Sequence, residues 1–152
     1  MDITAKLSSL GLKLPEVAAP VGAYVPAVVA GAFVYTSGQL PTADGTLRYS
    51  GKVGADLAVE DGYQASRLCA LNALAAVKAA VGDLQRVRRV VKVTGFVNSA
   101  PGFTGQAAVL NGASELLAAL FAEGHARSAV GVAELPLNAA VEVELICELA
   151  RE

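Results

Sequence analysis

Two stretches near the C-terminus hold the residues best suited to chemistry. "HARSAVGV" (125–132) sets Arg127 just before an apolar strand, and "VEVELICEL" (141–149) follows a Leu-Pro turn with Glu142, Glu144 and Glu148. Extended chain alternates its side chains, so Val141, Val143, Leu145, Cys147 and Leu149 share one face and Glu142, Glu144, Ile146 and Glu148 the other. The first set reads as core. The second could simply be wet, as one side of an antiparallel sheet often is; against this stands a chain with only 17% charged residues. Arginine offers five donors in a planar fork that suits a carboxylate. Arg127 and a glutamate at one cleft could therefore orient an acid substrate and move a proton.

Other chemistries lack their residues. His125 is the one histidine, so a Ser-His-Asp or Cys-His device would have to be built on it. Its place in "EGHARS", just past a helix end, reads more simply as a surface imidazole favoured by the helix dipole. Cys69 and Cys147 lie far apart without CxxC spacing and read as small core residues. Metal clusters fail for want of ligands, and neither GxxxxGK[ST] nor GxGxxG occurs.

The elements that must position these residues follow from pattern. Residues 3–10 predict a short helix ended by Gly11, with Pro15 and Pro20 marking an extended arm. Strands are expected at 24–30 and 32–38 around Gly31, then a turn at Asp44-Gly45. The proline-free, alanine-rich run 59–81 predicts a helix stopped by Gly82. Residues 88–98 are β-branched on both faces, as in a central strand covered above and below. A second long helix is expected over 104–122, although Gly105 and Gly112 weaken its start. Two closing strands, 128–134 and 139–149, are joined by "LPLNA" as a terminal hairpin. The order β-β, α, β, α, β-β predicts an α/β fold with two helices on one face of a sheet. Nothing else in the chain is large enough to cover Phe33, Tyr35, Val130 and Val132 on the other face, so copies of the chain are expected to cover one another in a homo-oligomer.

Composition bounds the function. The 152 residues fit one domain (1–152) and are 54% hydrophobic, yet no run reaches the roughly 18 apolar residues of a membrane span. Self-association explains the surplus better than a bilayer. A net charge of -2 and a pI near 5.4 give no general attraction for nucleic acid. Arg86, Arg88, Arg89 and Lys92 read as a solvated strand entrance rather than an RNA contact. The N-terminus has an early acid and no apolar leader core, so the cytoplasm is the expected compartment.

Four segments in order, "YTSGQLP" (35–41), "LQRVRRVVKVTGFV" (84–97), "HARSAVGVAELP" (125–136) and "AAVEVEL" (139–145), resemble the Rid family, the reactive intermediate deaminases, also called YjgF-type or endoribonuclease L-PSP proteins. The resemblance spans 21–149, leaving residues 1–20 as an arm. It implies a chorismate-mutase-like fold and a homotrimer whose sheets form a central barrel with ligand clefts between subunits. It also implies hydrolysis of enamines and imines such as 2-aminoacrylate to 2-keto acids and ammonia, with no cofactor.

Carried across residue by residue, the resemblance implies that Arg127 grips the substrate carboxylate and Glu142 activates water or shuttles the proton. Tyr24 would line the cleft, Ser37 and Gly38 match the family's "SGQ" strand, and Asn111 matches an asparagine on the second helix. Plainer readings stand beside these: a core-edge tyrosine, a bulge at Ser37-Gly38 and a helix cap at Asn111. The chain has Ala129 where the family has cysteine, which suffices if that position's backbone carbonyl places the water. "GAY" replaces "GPY", and the segment after Phe96 is longer, as in a distinct subgroup. Besides deamination, two other functions fit: a non-catalytic module binding a small carboxylate, and, with less support, RNA cleavage.

Overall fold

A five-stranded mixed sheet, in the order β1-β2-β7-β5-β6, carries every candidate residue but Asn111 on its strands or the segments flanking them. The computed structural model describes residues 2–151. The strands are β1 (Ala27–Ala30), β2 (Phe33–Thr36), β5 (Val87–Asn98), β6 (Ala126–Val132) and β7 (Val141–Leu149); β3 (Thr42–Ala43) and β4 (Thr46–Leu47) form a separate small hairpin. Its turn has Asp44 and Gly45 at φ 53° and 74°, the left-handed pair that a two-residue hairpin needs.

The helices are α1 (Ile3–Ser9), α2 (Val59–Val81) and α3 (Gln106–Leu120). The Asp61 carboxylate accepts the Ala58 N–H at the start of α2, and Gly82 ends it at φ 90°. Both long helices pack against the same side of the sheet, where Val93, Val97, Val141, Val143 and Leu145 are buried. Gly112, which on propensity weakens α3, sits where the two helices touch. A Cβ there would lie 2.0 Å from the Tyr63 carbonyl oxygen, so only glycine allows the contact. Ser66 on α2 seals it, donating to the Val109 carbonyl at 2.6 Å and accepting the Ala113 N–H at 3.0 Å. The N-terminal helix buries Ile3 and Leu7, and the Lys6 ammonium donates to the Leu120 carbonyl at the end of α3.

The structure overturns one expectation of topology: the closing strands do not form a hairpin. β7 lies between β2 and β5, antiparallel to both, while β6 runs parallel to β5 as the sheet's edge. The cause is the preceding unit: β5, α3 and β6 make a strand-helix-strand crossover, which requires parallel strands. That leaves β7, with its unbroken buried alternation, to fill the centre. Strand bounds shift as well. Residues 24–26 lie outside β1, and Arg127 lies inside β6 rather than before it.

The face away from the helices is open in the single chain. Tyr35, Val28 and Val130 there are each more than two-fifths exposed. Within the single chain the helices cover one side of β5, the side of Val93 and Val97.

Candidate active site

The candidate residues fall into two groups on opposite sides of the sheet. In a strand pair, opposed residues point to the same face. Glu142 opposes Phe96, which opposes Val130; all three belong to the open face. Arg127 opposes Val93, which is fully buried under the helices, so Arg127 projects to the helix side.

Glu142 looks into a cleft lined by Tyr24, Gly38, Gln39, Leu137 and the arm residues Pro20 and Val21. Three predicted residues, Tyr24, Gly38 and Glu142, thus meet. Gly38 is there because the carboxylate lies on its backbone: a Cβ would fall 2.6 Å from the Glu142 carboxyl carbon. Ser37 does not line the cleft. Its hydroxyl donates to the Val25 carbonyl at 2.6 Å and its N–H to Pro26 at 2.8 Å, which ties the Tyr24 segment to the end of β2. Burial pushes the Glu142 carboxyl above the usual carboxylate range, and the charge of Glu144 pushes it further. Both glutamates share the open face, and Glu142 is the one in the cleft.

On the helix side Arg127 is half-buried and meets α3. Its Nη1 donates to Asn111 Oδ1 at 2.8 Å and to Ser114 Oγ at 3.2 Å, which uses both of that nitrogen's hydrogens. Among the described residues no acceptor meets Nε or Nη2, and no carboxylate lies within 4.0 Å of the guanidinium. The edge formed by Nε and Nη2 is a side-on fork left free for a planar anion. Asn111 is six residues into α3, so it is not a cap; it is the anchor of the arginine. Ala129 lies two residues along from Arg127 on the same face and packs against the core.

Two residues join this group that the sequence reading did not place in it. Ser114 stands one helical turn after Asn111, and His125 Nε2 lies 3.0 Å from its hydroxyl. The imidazole is therefore not a free surface group: burial lowers its pKa, and the Arg127 charge lowers it further. The signal was the spacing, i to i+3 on a helix and i to i+2 on a strand. Leu137, at φ 59° beside Asn138 at φ 57°, also lines the cleft, 63% exposed; the motif "LPLN" gave no hint of that left-handed turn.

The two arginines at the start of β5 pair with acids of the chain. Arg89 Nε meets Glu148 at 2.6 Å and its Nη1 meets Glu123 at 3.2 Å, while Arg88 approaches the same two acids. Burial pushes the Cys147 thiol up to about 12 and also raises Cys69, so neither is a ready nucleophile. Among the described residues no three His, Cys, Asp or Glu side chains converge as a metal site requires, and no helix is long and apolar enough to cross a membrane.

Residues 4–149 match the family model described as "YjgF/chorismate_mutase-like, putative endoribonuclease". A curated relative, Protein TCP17 of Trypanosoma cruzi, is 50% identical over 150 residues, covering 97% of this chain and 94% of that protein. Among solved structures, the protein Atu1372 of unknown function from Agrobacterium tumefaciens is similar at TM-score 0.91 and 46% identity, covering 97% of this chain and 92% of that one. E. coli TdcF, solved with bound serine, is similar at TM-score 0.63 and 27% identity, covering 91% and 96%.

Proposed function

Since the chain belongs to the YjgF/chorismate mutase-like family, with its mixed sheet and helices on one face, we propose that it is an enamine/imine deaminase acting on small 2-imino acids. The observation that carries the reading is the Arg127 guanidinium, pinned through Nη1 to Asn111 and Ser114 with its side-on fork unoccupied. A half-buried cation that meets no carboxylate among the described residues is suited to a carboxylate ligand. The serine bound to TdcF, a small amino acid with such a carboxylate, supports the same substrate class.

In this proposal 2-aminoacrylate binds by its carboxylate to Nε and Nη2 of Arg127 and tautomerises to the imine, its methylene carbon taking a proton as its nitrogen gives one up. Water adds across the imine, one of its protons passing to the nitrogen, and the hydroxyl proton of the resulting carbinolamine follows it as the C–N bond breaks and the C=O forms. One water is consumed, and pyruvate and ammonia leave. Glu142 moves the protons: a carboxyl held above its usual range keeps both forms in use nearer neutral pH. No cofactor takes part in these steps.

This reading then calls for two copies. Glu142 and Arg127 are separated by two strand spacings and three residues, roughly 14 Å between backbones, and face opposite ways. A three-carbon substrate spans about a third of that, so its carboxylate and its imine meet residues of different subunits. The exposed Tyr35, Val28 and Val130 supply apolar surface for the assembly, a homotrimer in this reading.

RNA cleavage has less support, because Arg88 and Arg89 are engaged by Glu123 and Glu148. The test is to generate 2-aminoacrylate with a pyridoxal-phosphate dehydratase and follow pyruvate release with wild type or Arg127→Ala. Losing a charge-assisted contact costs about 1.5–3 kcal/mol, a tenfold to hundredfold drop in kcat/KM. An Arg127→Ala variant as active as wild type defeats the assignment.

A further inference from the structure

Ser114 Oγ has one proton to give and two lone pairs to offer. It accepts from Arg127 Nη1 at 3.2 Å, and its own proton then has His125 Nε2, at 3.0 Å, to receive it. That arrangement needs a neutral imidazole with its hydrogen on Nδ1. If His125 takes up a proton, Nε2 becomes a donor: the hydroxyl must accept from both sides, its own hydrogen loses its acceptor, and a second positive charge stands next to the guanidinium.

We propose that Ser114 and His125 are positioning residues for Arg127, and that they couple its hold on a carboxylate to protonation of the imidazole. This rests on the reading of Arg127 as a carboxylate site. An anion on the free fork neutralises the charge that opposes an imidazolium, so binding draws a proton to His125. By reciprocity, a protonated His125 tightens the hold on the anion. The lowered pKa of the unliganded ring, from burial and then Arg127, agrees in direction.

Of the charged groups on the elements around the ring, Arg127 of β6 is the one that acts on it. Glu115 of α3 is bonded to the Tyr63 hydroxyl of α2, and Glu123 in the preceding turn is held by Arg88 and Arg89 of β5. Lys92 of β5 stands opposite Ala126 on the other face, and Lys6 of α1 donates to the Leu120 carbonyl.

His125 is the chain's one histidine, so its ring can be followed by NMR without ambiguity. The probe is 2-oxobutanoate, which stays ionised throughout the range. The ring of the free protein should titrate below the ordinary 6.5 with its hydrogen on Nδ1, and should titrate higher in Arg127→Ala. Saturating 2-oxobutanoate should raise it in wild type. Calorimetry should show affinity tightening roughly threefold to tenfold from pH 7.5 to 5.5, the size of one screened charge interaction at short range. His125→Gln, with Glu142 intact, should lose most of that gain; Ser114→Ala should lose it and Ser114→Thr, which keeps the hydroxyl, should retain it. A ring unmoved by Arg127→Ala overturns the proposal. So does acid that binds through Arg127 yet leaves the ring where it was, and that result spares the carboxylate reading. Acid that binds equally to Arg127→Ala overturns the carboxylate reading and the coupling with it.

Discussion

Glu142 and Arg127 project from opposite faces of one sheet, on strands separated by β5, because Glu142 is in register with Phe96 and Val130 while Arg127 is in register with Val93. The relationship follows from side-chain parity together with strand register. It separates a motif that reads in sequence as a single Arg-Glu cleft into two groups of one chain, which the proposed function treats as half-sites completed by a second copy.

Gly38 tests the first half-site. A methyl group there would stand 2.6 Å from the Glu142 carboxyl carbon and 2.8 Å from Oε2, so the carboxylate must move. Gly38→Ala should keep its circular dichroism spectrum and lose tenfold or more in kcat with KM less affected, since a displacement near 1 Å at a reacting group is enough to cost that much. Unchanged kcat would mean that Glu142 works from elsewhere.

Stability against pH reports on the same carboxyl. Burial and Glu144 raise it above the ordinary 4.5, so the native state binds this proton more tightly than the unfolded chain does. Its contribution is greatest below the unfolded value and is lost as pH rises through the native one. Glu142→Gln, which is never ionised, should therefore melt higher than wild type at pH 7.5, with the difference closing near pH 4. Thermal melts at the two pH values decide it; a glutamine variant that melts lower at pH 7.5 contradicts the electrostatic account.

Gly112 ties the fold to the second half-site. The Tyr63 carbonyl lies 2.0 Å from where its Cβ would be, and its neighbour Asn111 holds Arg127. Gly112→Ala should destabilise the chain by about 1–3 kcal/mol, as overpacking does, visible as an earlier urea midpoint. It should also raise KM, because the residue that anchors the arginine shifts with the helix. A variant of wild-type stability would place the two helices further apart.

Much of this was legible in the sequence because single rules decided it. The alternation of "VEVELICEL" gave the two faces of β7, Gly82 ended α2, and Asp44-Gly45 closed the small hairpin. The topology of the last two strands was not legible: "LPLNA" is short enough for a hairpin, and only the crossover through α3 forces β6 parallel to β5. The partition of the site was hidden for the same reason, since face assignment across strands requires register. His125 reads in sequence as a surface imidazole because its partner, Ser114, is eleven residues away on a different element.

The most direct test of the two-copy site is complementation. Arg127→Ala and Glu142→Gln, each strongly impaired alone, are unfolded together in equal amounts and refolded so that subunits mix. If each site takes its arginine from one copy and its glutamate from the next, random mixing makes about a quarter of the sites fully wild type in a cyclic assembly, and pyruvate formation from 2-aminoacrylate should return to about a quarter of the wild-type rate. A mixture as inactive as its components, in oligomers shown to contain both variants, would contradict the account.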